Sequence, residues 1–121
     1  MTWKYLDPAS SRPKAVYAPD GNVLLLIGSK GVRRSTNGGV NFSQSGSSKF
    51  RKTALSAVDG AGSAVFVRNS KSIFVSKTGG RTWSTVKKPK KAKTIAQLDM
   101  VDAKRGYLLD SKKELWQTST G

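Results

Sequence analysis

Ser76-Lys77-Thr78-Gly79-Gly80-Arg81-Thr82-Trp83 is a turn signal: two glycines framed by hydroxyl residues and closed by an aromatic. The same signal stands upstream as Ser35-Thr36-Asn37-Gly38-Gly39-Val40-Asn41-Phe42. It opens once more as Thr118-Ser119-Thr120-Gly121, and Thr2-Trp3, at the other end of the sequence, matches its missing tail. The intervals are 76 − 35 = 41 residues and 118 − 76 = 42 residues. A fixed period of this size marks a repeat architecture, one supersecondary unit used again and again.

The sequence between the signals repeats too. Each interval begins with a short apolar piece: Ala15-Val16-Tyr17, Leu55 to Val58, Ile95 to Leu98. An acidic turn is expected next, at Asp20-Gly21, Asp59-Gly60 and Asp102-Ala103. Then comes a nearly continuous apolar run: Val23 to Ile27, Ala64 to Val67, Gly106 to Leu109. A polar turn, Ser29-Lys30-Gly31, Asn69 to Ser72 or Asp110 to Lys113, leads to a third piece, Val32-Arg33-Arg34, Ile73-Phe74-Val75 or Leu115-Trp116-Gln117, which runs into the signal. A fourth piece follows the signal: Phe42-Ser43-Gln44, Trp83 to Val86, and Trp3 to Leu6. Short β-branched and aromatic runs punctuated by Gly, Asn, Asp and Ser are strands and turns. No window holds the i, i+3, i+4, i+7 spacing of a helix.

The chain therefore reads as all-β. Four strands in about 40 residues make the blade of a β-propeller, a radial array of four-stranded antiparallel sheets. Apolar continuity in the second strand of each unit fits a strand covered on both faces by neighbouring blades. The expected organisation is a single three-blade unit over residues 1–121. Its repeats are approximately 3–42, 42–83 and 83–121, with a closing strand from residues 1–6.

Composition narrows the chemistry. With no cysteine there is neither a disulfide nor a thiolate metal site, and with no histidine the commonest metal ligand and general base are gone. No metal or cofactor is expected. The longest apolar run, Val23 to Ile27, is far too short to span a bilayer. The N-terminus carries no signal-peptide pattern, and the compartment stays open.

The signals resemble the Asp-box, or BNR repeat, of sialidase-type propellers, whose pattern is Ser-x-Asp-x-Gly-x-Thr-Trp. Ser76 to Trp83 matches it everywhere except at the aspartate, which is Thr78 here. The first copy has Asn37 at that position and Asn41 for the threonine, and the third has Thr120. Gly106 to Leu109, with Trp116-Gln117-Thr118, resembles blades of the photosystem II assembly factor family and of sortilin-type propellers. The resemblance implies a propeller whose boxes brace hairpins away from the ligand face. In physical terms a short polar side chain caps turn N–H groups, glycine allows positive φ, and the aromatic ring packs between sheets. Ser35, Asn37, Gly39, Phe42, Ser76, Thr78, Gly80, Trp83, Thr118, Thr120, Thr2 and Trp3 are accordingly structural candidates, not catalytic ones.

Catalysis is poorly supplied. A sialidase needs an arginine cluster, a Tyr–Glu nucleophile pair and an acidic proton donor, and the single glutamate, Glu114, sits beside lysines at a turn. A glycosidase needs two carboxyl groups flanking one bond. Asp20, Asp59 and Asp102 recur at turn positions, which leaves Asp99 as the one acid of interest. The expectation is no catalytic residue and a non-enzymatic binding or scaffold module. An inactive remnant of a sialidase-like hydrolase is the lesser alternative.

Charge is the remaining feature. Lys and Arg number 22 against 7 Asp and Glu, a formal net charge of +15. Lys87, Lys88, Lys90, Lys91 and Lys93 crowd one outer-to-inner connection, Lys49, Arg51 and Lys52 the previous one, and Arg12 and Lys14 the one before. Such connections share one face, so a polyanion-attracting surface is expected, with nucleic acid, an anionic glycan or an acidic protein as partner. Phe50 is the only aromatic among these basic loops, which gives base stacking weak support.

The split third signal bears on assembly. Thr118 to Gly121 supplies its first four positions and Met1-Thr2-Trp3 its last three. The chain reads as a three-blade piece, natural or engineered, of a larger propeller. Two chains placed head to tail would form a six-bladed homodimer, inside the usual range of about four to eight blades.

Overall fold

The computed structural model describes residues 1–6 and 12–119. Its strands form three antiparallel sheets in chain order. Sheet 1 holds β1 (Pro13–Tyr17), β2 (Leu24–Gly28), β3 (Gly31–Ser35) and β4 (Ser43–Gln44). Sheet 2 holds β5 (Ala57–Ala61), β6 (Ala64–Arg68), β7 (Ile73–Ser76) and β8 (Ser84–Val86). Sheet 3 holds β9 (Ile95–Met100), β10 (Gly106–Asp110) and β11 (Leu115–Thr118), with no fourth strand among the described residues.

Register aligns the three units. Leu25 pairs with Arg34, Phe66 with Val75 and Tyr107 with Gln117, so these pairs are equivalent. The first strands of successive sheets, β1, β5 and β9, lie side by side. Entry to each later sheet is fastened to the one before: Leu55 N donates to Gly28 O at 2.9 Å, and Ile95 N to Ser70 O at 2.7 Å.

Packing explains the apolar second strands. Successive side chains of a strand point to opposite faces, and β6 has a sheet on each side. Val65 and Val67 enter a core with Leu25, Ile27, Val32, Phe50 and Leu55 from the sheet 1 side. Ala64 and Phe66 enter a second core with Ile95, Met100 and Leu108 of sheet 3. In β10 the same alternation leaves Leu108 buried and Tyr107 exposed, since no described sheet lies beyond it.

Two readings change in detail, those of Asp59 and Phe50. Asp59-Gly60 is not a turn: both residues belong to β5, and the hairpin turns at Gly62-Ser63 because β5 pairs through to Ala61↔Ala64. Asp59 instead reaches across to sheet 3, where its Oδ2 accepts Met100 N at 2.8 Å. Trp3 to Leu6 form no strand within this chain. Finally, Phe50 begins a turn of 3-10 helix (Phe50–Lys52) and is buried, with Trp83 stacked on it at 5.2 Å and Phe74 edge-on at 5.1 Å. Its ring is therefore core and unavailable for base stacking.

Candidate functional site

Antiparallel order sorts the connections into two faces. Turns between first and second strands, and between third and fourth, lie at one end of the sheets. Turns between second and third strands lie at the other, together with the connections from each fourth strand to the next sheet. The first end, the glycine-turn face, carries Ser35–Phe42, Ser76–Trp83 and Thr118, with Asp20 and Asp102. The second, the loop face, carries Lys30, Lys49, Arg51, Lys52, Lys71, Lys87, Lys88, Lys90, Lys91, Lys93, Lys112 and Lys113. Arg12 and Lys14 stand exposed there at the start of β1.

Among the described residues two acids sit at the loop face, and one does not oppose its charge. Glu114 is exposed, whereas Asp110 is 1% exposed and turned inward. Asp110 Oδ1 accepts Lys112 N at 3.0 Å and Glu114 N at 2.9 Å, and its Oδ2 accepts Lys93 N and Trp116 Nε1, both at 3.2 Å. Burial pushes its pKa up, but the N–H donors of Glu114, Lys93, Trp116 and Lys112 outweigh that and hold it below the ordinary carboxylate range. Asp110 thus fastens the lysine-rich connection to the β10–β11 turn, where Lys113 takes a left-handed φ of 66°. In sheet 2 the equivalent residue, Asn69, does the same with an amide: its Oδ1 accepts Lys71 N and Ser72 N while its Nδ2 donates to Ala54 O.

The connections are anchored from within and charged outward. Ala92 is buried, and Lys88 Nζ donates to its carbonyl at 3.2 Å. Arg51 Nε donates to Gly46 O at 3.0 Å beside the buried Phe50. Lys49, Lys52, Lys87, Lys90, Lys91 and Lys93 are exposed. Among the described residues the one ion pair is Arg105–Asp102 at 2.9 Å, which lies on the glycine-turn face. The cations of the loop face therefore form no ion pair with a carboxylate among the described residues, and their field extends into solvent.

The glycine-turn face is closed by its own hydrogen bonds. Ser35 Oγ accepts Gly39 N at 2.9 Å, and Asn37 Oδ1 accepts Asn41 N at 3.0 Å. Ser76 Oγ accepts Gly80 N, and Thr78 Oγ1 accepts Thr82 N, both at 2.9 Å. Gly39 and Gly80 take φ of 93° and 89°, which an L side chain rarely adopts. Neighbouring sheets meet here: Trp83 Nε1 donates to Ser45 Oγ of sheet 1 at 3.0 Å, and Arg34 Nε to Gly79 O at 3.0 Å. Asp20 and Asp102 accept the N–H groups two and three residues ahead, which lowers both pKa values. Phe42 is half-buried, Thr118 half-buried at the end of β11, and Thr2 and Trp3 exposed; Thr120 lies outside the described residues.

Sequence reasoning missed Ser45, Arg34, Asn69 and Asp110, whose work is done across the fold. Asp99 stands exposed in β9. Among the described residues no group of three or more Asp or Glu is placed to hold a metal ion, and no helix is long and apolar enough to cross a membrane.

No family model matches the chain. No curated protein matches it either. Solved structures do. The chain is similar to a structure described as YCF48 bound to D1 peptide, at 13% identity and a TM-score of 0.64, covering 84% of this chain and 35% of that one. It is similar to YCF48 from Cyanidioschyzon merolae at 19% identity and a TM-score of 0.64, covering 88% of this chain and 35% of that one. The chain thus spans about a third of the length of these neighbours. At such identities the likeness is one of fold, and the three sheets are blades of a β-propeller.

Proposed function

We propose that this chain is a non-enzymatic binding unit of a propeller, and that its loop face is the working surface, holding an anionic macromolecule. One observation carries this reading: the second-to-third turns and the sheet-to-sheet connections collect their cations at one end, and none of these cations forms an ion pair with a carboxylate among the described residues. Neutralising several phosphates, sulfates or carboxylates at once releases counterions, so such a face gains affinity without sequence readout. Burial of Phe50 favours charge over stacking as the source of binding. That a YCF48 propeller holds a peptide supports a polymer ligand on this fold; an acidic protein, an anionic glycan and nucleic acid share the required chemistry.

The test is elution from heparin and phosphocellulose across a salt gradient. Changing Lys87, Lys88, Lys90, Lys91 and Lys93 to glutamine should leave the circular dichroism spectrum intact and lower the eluting salt concentration markedly. Unchanged retention contradicts the reading. A fluorogenic sialidase assay run alongside should stay at background, and turnover would favour the hydrolase alternative.

A second reading concerns assembly and rests on a different observation. Among the described residues sheets 1 and 2 have four strands and sheet 3 has three, so no described strand pairs with the outer edge of β11, and such an edge is an aggregation hazard unless covered. We infer that two chains pair head to tail as a six-bladed homodimer. Sedimentation velocity over a range of concentrations should show a species of about twice the 13.0 kDa chain mass, and a folded monomer throughout the micromolar range contradicts it.

A further inference from the structure

The joint between sheets 2 and 3 has a vacancy where the joint between sheets 1 and 2 is filled. In the filled joint, Trp83 lies against Ser45 of sheet 1 and beside Phe74 of its own sheet, with Phe50 stacked on its ring. One unit further on, Val86 is equivalent to Ser45 and Trp116 to Phe74, and the connection that follows buries the small Ala92 in place of an aromatic ring. An apolar cleft opens at that place, lined by Val86, Pro89, Leu98, Met100 and Trp116. Nothing among the described residues enters it as Trp83 enters its own seat.

The strand edge beside the cleft is uncovered in the same way. Val32, Ile73 and Leu115 are equivalent, and they are 0%, 3% and 69% exposed. Ile73 is buried in sheet 2, where β8 runs alongside and pairs it with Val86. Leu115 has no such neighbour among the described residues.

The N-terminal segment has the complementary defect. Trp3 is 88% exposed and belongs to no sheet, although Thr2-Trp3 matches Thr82-Trp83. Counted from that match, Leu6 is equivalent to Ser45, which contacts the Gly80 turn of the following sheet. Leu6 lies in the corresponding place against sheet 1, where a Cβ on Gly39 would come within 2.9 Å of its Cδ1. Leu6 thus touches sheet 1 where the end of a fourth strand from a preceding sheet would lie.

We propose that the edge of β11 and the adjoining cleft are a docking site for residues Thr2–Leu6 of a second copy of this chain. The Trp3 indole fills the cleft, and Lys4, Tyr5 and Leu6 pair with Gln117, Trp116 and Leu115 in the register of β7 with β8. This rests on the head-to-tail assembly above and names the groups that make it. In such a pair the β11 edge of each copy receives residues Thr2–Leu6 of the other, two equivalent contacts related by a two-fold axis.

The absence of cysteine makes a clean test. Paired β residues bring their Cβ atoms to about 4.5–5.5 Å, close enough for a disulfide with slight adjustment. The double variant Lys4→Cys, Gln117→Cys should therefore oxidise to a covalent dimer on non-reducing electrophoresis, while neither single variant does. In an otherwise unaltered chain, Trp3→Ala should keep the β spectrum and weaken dimerisation by more than about tenfold, as expected of a seated aromatic anchor. A protein that is monomeric throughout overturns both the assembly and the docking site. A dimer that survives Trp3→Ala undiminished and leaves the cysteine pair unlinked overturns the docking site alone. A cross-link formed within one chain, or β11 covered by further polypeptide after Gly121, overturns it as well.

Discussion

The two faces of this molecule are made by the same repeats and have opposite characters. At the glycine-turn face, polar side chains are spent inward: Ser35, Ser76, Asn37 and Thr78 satisfy backbone donors, and Trp83 fastens one sheet to the next. At the loop face the inward work is left to Phe50, Ala92, Asn69 and Asp110, and the lysines point out. A recurring unit can thus keep its fold at one end and vary its surface chemistry at the other. The lesson is a separation of consequences. Substitutions at the first face should cost stability, and outward substitutions at the second should cost binding.

The largest expected effect is at the sheet joint. Trp83→Ala removes the ring stacked on Phe50 and should destabilise the chain by about 3–5 kcal/mol, measured by urea denaturation. Ser76→Ala comes next. Ser76 is fully buried, and its Oγ serves both Gly80 N and Thr78 N, so losing the hydroxyl leaves buried donors unmet at about 1–3 kcal/mol. A melting temperature unmoved by either change would mean that the glycine-turn face is not the structural one.

Asp110 tests the exception, an acid at the loop face with a structural task. Its folded pKa is depressed, so the carboxylate stabilises the fold above its unfolded value of about 3.9 and that contribution fades as pH falls through the lower folded value. Asp110→Asn should lower the melting temperature at pH 7 and flatten its decline below pH 4. An unchanged acid profile would show that Asp110 contributes nothing. The smallest effect on stability is expected of Thr78→Asp. Aspartate there can accept Thr82 N as the Thr78 hydroxyl does, with a charge-assisted bond, so the change should be neutral or stabilise by up to about 1 kcal/mol. A marked loss of stability would contradict this geometry.

Much of the fold was legible in the sequence because it is written locally. The spacing of Ser35 to Phe42 and Ser76 to Trp83 fixes the hairpins, and the apolar run at Phe66 announces a strand covered on both sides. What the sequence hid depends on placement across sheets. Asp59 reads as a turn residue, but β5 runs past it and aims its carboxylate at Met100 N. Phe50 reads as an aromatic in a basic loop, yet a short 3-10 turn drops it into the core. Asp110 reads as one more polar turn residue, and only the approach of Lys93 and Trp116 makes it an anchor. The location of the lysines was visible, whereas the lack of ion pairs to them among the described residues is a matter of three-dimensional arrangement.

The most direct measurement of the separation between faces removes the same charge from each. One variant changes Lys87, Lys90 and Lys91 to glutamine, and the other changes Lys77, Arg81 and Lys104; all six are exposed. Each takes the formal net charge from +15 to 15 − 3 = +12, so a difference between them reports position and not total charge. On a heparin column developed with salt, the loop-face variant should elute distinctly earlier than the parent chain, and the glycine-turn variant close to it. Equal shifts for the two variants would contradict a dedicated loop face and leave only the dispersed attraction of a basic protein for a polyanion.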